Sequence, residues 1–196
     1  MTFLGIDPGL NGGLAFLDDE LKVLALYVMP TIAGKDYDIQ AIKNLLVSVR
    51  PDLATIETQI ALPGQGLSST LQTGKGFGIL LGLMAGLDIP HQVIGAKQWQ
   101  NKLYTGVSAK LDTKAKSEII AKRLFPKLDF RRSERATKAH DGLTDAACIA
   151  EYTRRSHSAV SEPISGVPHQ SIPENPDICL KCGGYLPSVR ENNCLK

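Results

Sequence analysis

The sequence predicts an α/β fold: a mixed five-stranded sheet with helices on both faces, followed by a small cysteine-bearing tail. Three observations carry that expectation. Short apolar runs near the N-terminus are separated by tight turns, which reads as an antiparallel meander. A helical period then sets in, and strands and helices alternate from there, as in a sheet covered by helices. After Arg155 the apolar content falls away, and residues 156–196 hold five of the eleven prolines.

Taken in order, Thr2–Asp7 (TFLGID) is a first strand, broken by Asp7-Pro8-Gly9 and by a tight Asn11-Gly12-Gly13 turn. Residues 14–17 and 21–29 read as strands two and three, with Asp18-Asp19-Glu20 turning between them. Residues 37–50 carry Ile39, Ile42, Leu45, Leu46 and Val49 at helical spacing, with Asp38 as N-cap. Pro51 stops that helix, and residues 52–57 form a buried fourth strand ending in Glu57. A polar, glycine-bearing loop over 58–68 leads to a second helix over 69–87 and a fifth strand over 90–94. Residues 97–104, 113–125 and 140–155 read as further helices.

Gly74, Gly78, Gly82 and Gly86 recur every four residues in the second helix. Glycine inside a helix costs about 1 kcal/mol relative to alanine, so a stripe of four needs a reason. Tight packing onto the sheet is the expected one; a close helix–helix contact across a dimer is the alternative. The domain division expected is a domain over 1–155, a flexible linker over 156–176 and a small tail over 177–196.

The overall balance, 43% hydrophobic and 21% charged, is that of a folded domain rather than a disordered chain. No apolar run reaches the roughly 18 residues of a membrane span. Asp7 and Pro8 interrupt the first apolar stretch, so no signal peptide is expected. The expectation is a cytoplasmic protein of a bacterial or phage-infected cell, with an organelle form left open. Cys148, Cys179, Cys182 and Cys194 then suggest thiols or a metal site more than disulfides. The net charge of +2 says little, but its distribution says more. Lys97 to Lys138 holds twelve Lys/Arg and four Asp/Glu, leaving the rest of the chain at −6. A cationic stretch beside an acidic remainder is what a polyanion partner requires.

Phosphodiester hydrolysis needs an activated water and a stabilised leaving oxygen, and two divalent ions about 4 Å apart supply both. Magnesium and manganese take oxygen ligands, so such a site is built from carboxylates converging from separate elements. Asp7 closes strand one before a breaker, and Glu57 closes strand four before a loop. Asp141 and Asp145 lie four apart on one helix face, where like charges repel unless a cation neutralises them. Asp141 doubles as a candidate helix cap. Asp145, among Ala146, Ala147, Ile149 and Ala150, is costly to bury without a partner.

Gly5-Ile-Asp-Pro-Gly-Leu10, the Ile56-Glu57 strand end and His140-Asp-Gly-Leu-Thr-Asp-Ala-Ala147 together resemble the RuvC-type Holliday-junction resolvases. The resemblance spans roughly residues 1–155 and is nearest to the phage and chloroplast branch. Pro63-Gly-Gln-Gly66, Ser68-Ser69-Thr70, Gly74-Lys-Gly-Phe-Gly78, Lys97-Gln-Trp99 and Leu124-Phe-Pro126 carry that closer match. It implies a ribonuclease H-like fold, two Mg²⁺ (or Mn²⁺) ions on Asp7, Glu57, Asp141 and Asp145, and a homodimer nicking a four-way junction symmetrically. In the best-known bacterial members the last two metal-site residues are three apart; here they are four apart, with His140 adjacent as a ligand or proton-transfer candidate. Another ribonuclease H-like substrate, such as an RNA/DNA hybrid or other branched DNA, and a non-catalytic DNA-binding module remain as alternatives.

A junction nuclease must grip phosphates. Lys110, Lys114 and Lys116 stand at a helix start, a good anion site, and Arg131, Arg132, Arg135 and Lys138 precede the last helix. By the resemblance, the loop after Glu57 enters the junction, and Gln65 and Lys75 are DNA-contact candidates. Leu62 and Leu67 either wedge into DNA or anchor the loop to the core. In the tail, Cys179-Leu-Lys-Cys182 is a C-x₂-C knuckle; Cys194 and His169 would complete a candidate Zn²⁺ site, with a metal-free tail as the competing reading. Cys148 is most simply a small core residue.

Overall fold

The computed structural model describes residues 1–60, 64–160, 171–172 and 175–179. Three strands, β1 (Thr2–Asp7), β2 (Gly13–Asp18) and β3 (Val23–Val28), form the antiparallel meander that the turn residues predict. A small ribbon follows, β4 (Thr31–Ile32) against β5 (Asp36–Tyr37), and then α1 (Ile39–Val49). Asp38 caps α1 as expected, its carboxylate accepting from the Ala41 amide at 2.9 Å. Tyr37 belongs to β5 and not to the helix, because the cap at Asp38 starts the helix one residue later.

β6 (Leu53–Glu57) lies parallel to β1, and β7 (His91–Ile94) lies parallel to β6, so the sheet order is β3-β2-β1-β6-β7. α2 (Leu67–Gly86) links β6 to β7, and α3 (Ala96–Leu103), α4 (Thr113–Leu124) and α5 (Asp141–Val160) follow. The last helix runs past Arg155, the end that its apolar spacing predicts, to Val160.

Strand alternation sends successive side chains to opposite faces. Leu4, Ile6, Leu14, Phe16, Ala54 and Ile56 pack with Ile42, Leu46, Leu80 and Met84 of α1 and α2. Ala15, Leu17 and Ile94 pack with Trp99, Ile120 and Ala147 of α3, α4 and α5 on the other face. Gly5 lies where α5 crosses β1: a Cβ there would run into the Ala146 carbonyl oxygen and the Ala150 amide. Backbone therefore touches backbone at the point where the last helix meets the central strand.

The glycine stripe corrects the packing expectation. Gly74, Gly78, Gly82 and Gly86 are exposed, and a Cβ at any of them would meet nothing within 4 Å. The buried face of α2 is Gly76, Leu80 and Met84, and only Gly76 is held close, against the Tyr37 ring.

The chain divides into two compact units, Met1–Ala159 and Val160–Lys196. In the second, the described residues form an antiparallel pair, β8 (Ser171–Ile172) with β9 (Asn175–Cys179), within the stretch whose composition reads as linker and tail. His169, Cys182, Cys194 and Leu62 lie outside the described residues, so the candidate zinc site and one of the two wedge candidates lie there too. No described helix is long and apolar enough to cross a membrane.

Candidate active site

The register of β1 on β6 pairs Ile6 with Ile56, so Asp7 and Glu57 end adjacent parallel strands at the same level. Ile6 and Ile56 point into the α1/α2 layer. By alternation Asp7 and Glu57 therefore point to the opposite face, the one α5 covers. Thr55, two residues before Glu57, confirms that parity, because Thr153 of α5 donates to its hydroxyl at 2.7 Å.

The turn after β1 brings α5 in. A Cβ on Gly12 would collide with the Asp7 carbonyl, and one on Gly142 would collide with the backbone of Asn11 and Gly12. The first turn of α5 thus sits directly on the Asn11-Gly12-Gly13 turn, which carries Asp145 to Asp7. Tyr37 secures the same loop from the other side, its buried hydroxyl donating to the Pro8 carbonyl at 2.7 Å. Asp7, Asp141 and Asp145 line a cleft of about 930 Å³, together with Tyr37, Gln59 and Lys114.

Three of these acids are shifted upward. Burial, then the charges of Asp145 and Glu57, push the Asp7 carboxyl up to about 7. Asp145 is raised to about 6 by burial, with Glu57 and Asp141 adding to it and a Ser117 hydrogen bond opposing it. Burial also raises Glu57, against the indole N–H of Trp99, which donates to its Oε2 at 2.6 Å. Asp141, at the exposed start of α5, pairs with the Lys114 ammonium at 2.6 Å. Among the described residues no three acid, histidine or cysteine side chains already converge closely enough to hold one ion. The donor set nonetheless fits divalent cations: oxygen ligands on three separate elements, their ionised forms disfavoured by burial and, for Asp7 and Asp145, by the neighbouring acids.

His140 gives its backbone to the helix start, its amide donating to Phe130 O and its carbonyl accepting from Leu143 and Thr144. Its Nδ1 is buried without a hydrogen-bond partner, and burial followed by the Arg132 charge holds the ring below its ordinary value.

The basic candidates divide. Lys110, Arg132, Arg135 and Lys138 are exposed. Arg131 is occupied by its own loop, forking onto Asp129 and reaching the Glu134 carbonyl. Lys75 pairs with Asp36 at 2.6 Å, and Lys116 reaches the Ala109 carbonyl at 3.2 Å. Gln65 donates to Ser69 at 2.8 Å across the first turn of α2. Leu67 is 90% exposed, which removes the anchor reading for that residue. Sequence reasoning assigned no role to Trp99, Ser117 or Tyr37. For Trp99 a signal existed: a lone tryptophan on the apolar face of a short helix just after the strand beside Glu57.

A five-stranded mixed sheet with acids at the ends of its two central parallel strands and on the helix packed across them defines the ribonuclease H-like class of fold. Within it, the chain adopts the fold of the RuvC-like junction resolvases. It superposes on Thermus thermophilus RuvC in complex with a Holliday junction substrate at a TM-score of 0.58, with 17% identity over 83% of this chain and 96% of that one. A second Thermus thermophilus RuvC structure matches at 0.57, with 21% identity over 82% and 96%. The yeast mitochondrial Holliday junction resolvase Ydc2 matches at 0.52, with 15% identity over 82% and 80%. At these identities the likeness is one of fold. No protein-family model matches the sequence, and no curated protein does.

Proposed function

We propose that this chain is a divalent-metal-dependent endonuclease that cuts branched DNA, four-way junctions above all, as a homodimer. The observation that carries the proposal is that Asp7 and Glu57 end adjacent strands on the face α5 covers, with Asp7 and Asp145 lining one cleft and both held well above the ordinary carboxylate range. A purely structural site would pair such acids with Arg or Lys; only Asp141 has such a partner at bonding distance. The fold shared with the junction resolvases supplies the substrate class.

In this reading Asp7, Glu57 and Asp145 hold two Mg²⁺ or Mn²⁺ ions, with Asp141 at the rim. The chemistry such ions supply when bound is activation of the attacking water and stabilisation of the leaving oxygen. The protein's own residues do the rest. The Gly12–Gly142 contact fixes the distance between strand and helix carboxylates. Lys114, with Lys110 and Lys116 around the start of α4, receives phosphate, while Arg132, Arg135 and Lys138 grip the flanking strand. His140, beside Asp141, is the proton-transfer candidate. Leu67 and Leu71, 90% and 73% exposed at the start of α2, form an apolar wedge beside the cleft. The exposed glycine stripe of α2 offers a face on which the same helix of a second copy can approach closely.

The test is cleavage of a synthetic four-way junction, alongside linear duplex and an RNA/DNA hybrid. Wild type cuts the junction in Mg²⁺, EDTA stops it, and Asp7→Asn, Glu57→Gln and Asp145→Asn bind without cutting. Cleavage retained in all three variants rejects the mechanism. Preference for the hybrid rejects the substrate.

A further inference from the structure

Trp99 is the only tryptophan in the chain and among its largest fully buried side chains. Packing alone would be served by any large apolar residue, yet this one gives its single donor to an acid of the site. Its Nε1 lies 2.6 Å from Oε2 of Glu57. The placement follows from topology. β7 runs parallel to β6 with Ile94 beside Glu57, and α3 starts two residues later, so its inner face stands behind the end of β6. An indole N–H donates and never accepts. It therefore ties down Oε2 and restrains the rotation of the carboxylate.

The wall continues to the half-buried Asp145. The Trp99 ring meets Tyr104 edge-on, with centroids 5.5 Å apart and planes at 85°. The Tyr104 hydroxyl stands 2.7 Å from Oγ of Ser117, which is itself buried. Ser117 in turn acts on Asp145, lowering its carboxyl against the effect of burial. The tyrosine O–H also reaches the Thr113 carbonyl at 3.3 Å, at the start of α4. Residues of α3, the following turn and α4 thus hold two carboxylates that originate on β6 and α5.

We infer that Trp99, Tyr104 and Ser117 form one shelf of positioning residues, with Trp99 setting the orientation of Glu57, and Tyr104 through Ser117 that of Asp145, for divalent-cation binding. The inference rests on the metal-nuclease reading above. Partners behind metal ligands of this kind change affinity about ten- to a hundredfold when removed, because they set ligand geometry before the ion arrives.

The decisive variant replaces Trp99 by its benzothienyl-alanine isostere, which keeps the ring shape and has sulfur where the N–H was. Mn²⁺ binding to the full chain is followed by electron paramagnetic resonance, fold by circular dichroism, and junction cleavage as a function of Mg²⁺. The isostere folds as wild type, binds Mn²⁺ about tenfold more weakly, and regains cleavage at saturating Mg²⁺. Tyr104→Phe, which removes only the hydroxyl, weakens Mn²⁺ binding in the same direction and decides the matter if the isostere fails to fold. Wild-type Mn²⁺ affinity in the folded isostere overturns the inference. Because no other tryptophan contributes, wild-type emission reports the same event: Mn²⁺ quenches it, and unchanged emission at saturation overturns the placement of the ion at Glu57. A wild type that binds Mn²⁺ and passes these tests but cuts no junction removes the substrate reading and leaves the shelf standing. A wild type that binds no Mn²⁺ removes both.

Discussion

The Lys114 ammonium rests 2.6 Å from the Asp141 carboxylate at the mouth of the acid cleft, and both side chains are exposed. An exposed pair of this kind contributes only about 0–1 kcal/mol to stability. Its weight lies in competition, because Lys114 occupies the one cleft carboxylate that has a cation beside it. Lys114→Met is expected to leave the melting temperature nearly unchanged and to tighten Mn²⁺ binding. It should weaken junction binding uniformly across sequences, with the slope of log affinity against log salt falling by about one. An unchanged salt slope in a filter-binding series removes Lys114 from the phosphate contacts.

The raised carboxyls of Asp7 and Asp145 make stability depend on pH in a stated direction. A raised acid keeps its proton in the folded state after the unfolded chain has released it. Stability therefore falls as pH rises from about 4 to about 7, and the full penalty is present above the folded value. For Asp7 that penalty is on the order of 4 kcal/mol. The metal-free protein should melt at a higher temperature at pH 5 than at pH 8, and Mg²⁺ should restore stability at pH 8 with little effect at pH 5. Thermal scans in EDTA and in Mg²⁺ at the two pH values check this; a flat profile in EDTA contradicts it.

The same reasoning gives Asp7→Asn an unusual pair of effects. Replacing the half-buried acid by an amide removes the repulsion from Asp145 and Glu57 while keeping the shape. The variant should be inactive on junctions and yet more stable than metal-free wild type at pH 8, by a few degrees. Mg²⁺ should stabilise it less than it stabilises wild type. Lower stability of the variant at pH 8 would show that Asp7 is satisfied without a cation.

Glycines separate into two groups with opposite expected outcomes. Gly142→Ala forces a methyl into the backbone of Asn11 and Gly12, and Gly5→Ala forces one into α5. Each should cost about 1–3 kcal/mol or more, and Gly142→Ala should also weaken metal binding by shifting Asp145. Gly78→Ala and Gly82→Ala meet open space within the chain and should stabilise the monomer by about 0.5–1 kcal/mol each. If the stripe is the dimer contact, these two variants sediment as monomers at concentrations where wild type is dimeric. Wild-type association in both variants moves the interface elsewhere.

Much of the molecule is legible in the sequence because local chemistry decides it. Turn residues mark the meander of β1 to β3, the Asp38 cap starts α1, and strand-ending acids mark where a site can form. The four acids, the helix starts and the basic stretch are all features of neighbouring residues. Tertiary structure alone decided what depends on approach between distant segments. The parallel register of Ile6 with Ile56 turns two strand ends into a pair of carboxylates, and the Gly12–Gly142 contact brings Asp145 to them. It also reversed the glycine stripe, because Leu80 and Met84, not the glycines, fill the space above the sheet. The Trp99–Glu57 bond joins residues 42 apart in the chain. Periodicity marks Trp99 as inward-facing; only the packing of α3 behind β6 decides that its one polar atom meets an acid.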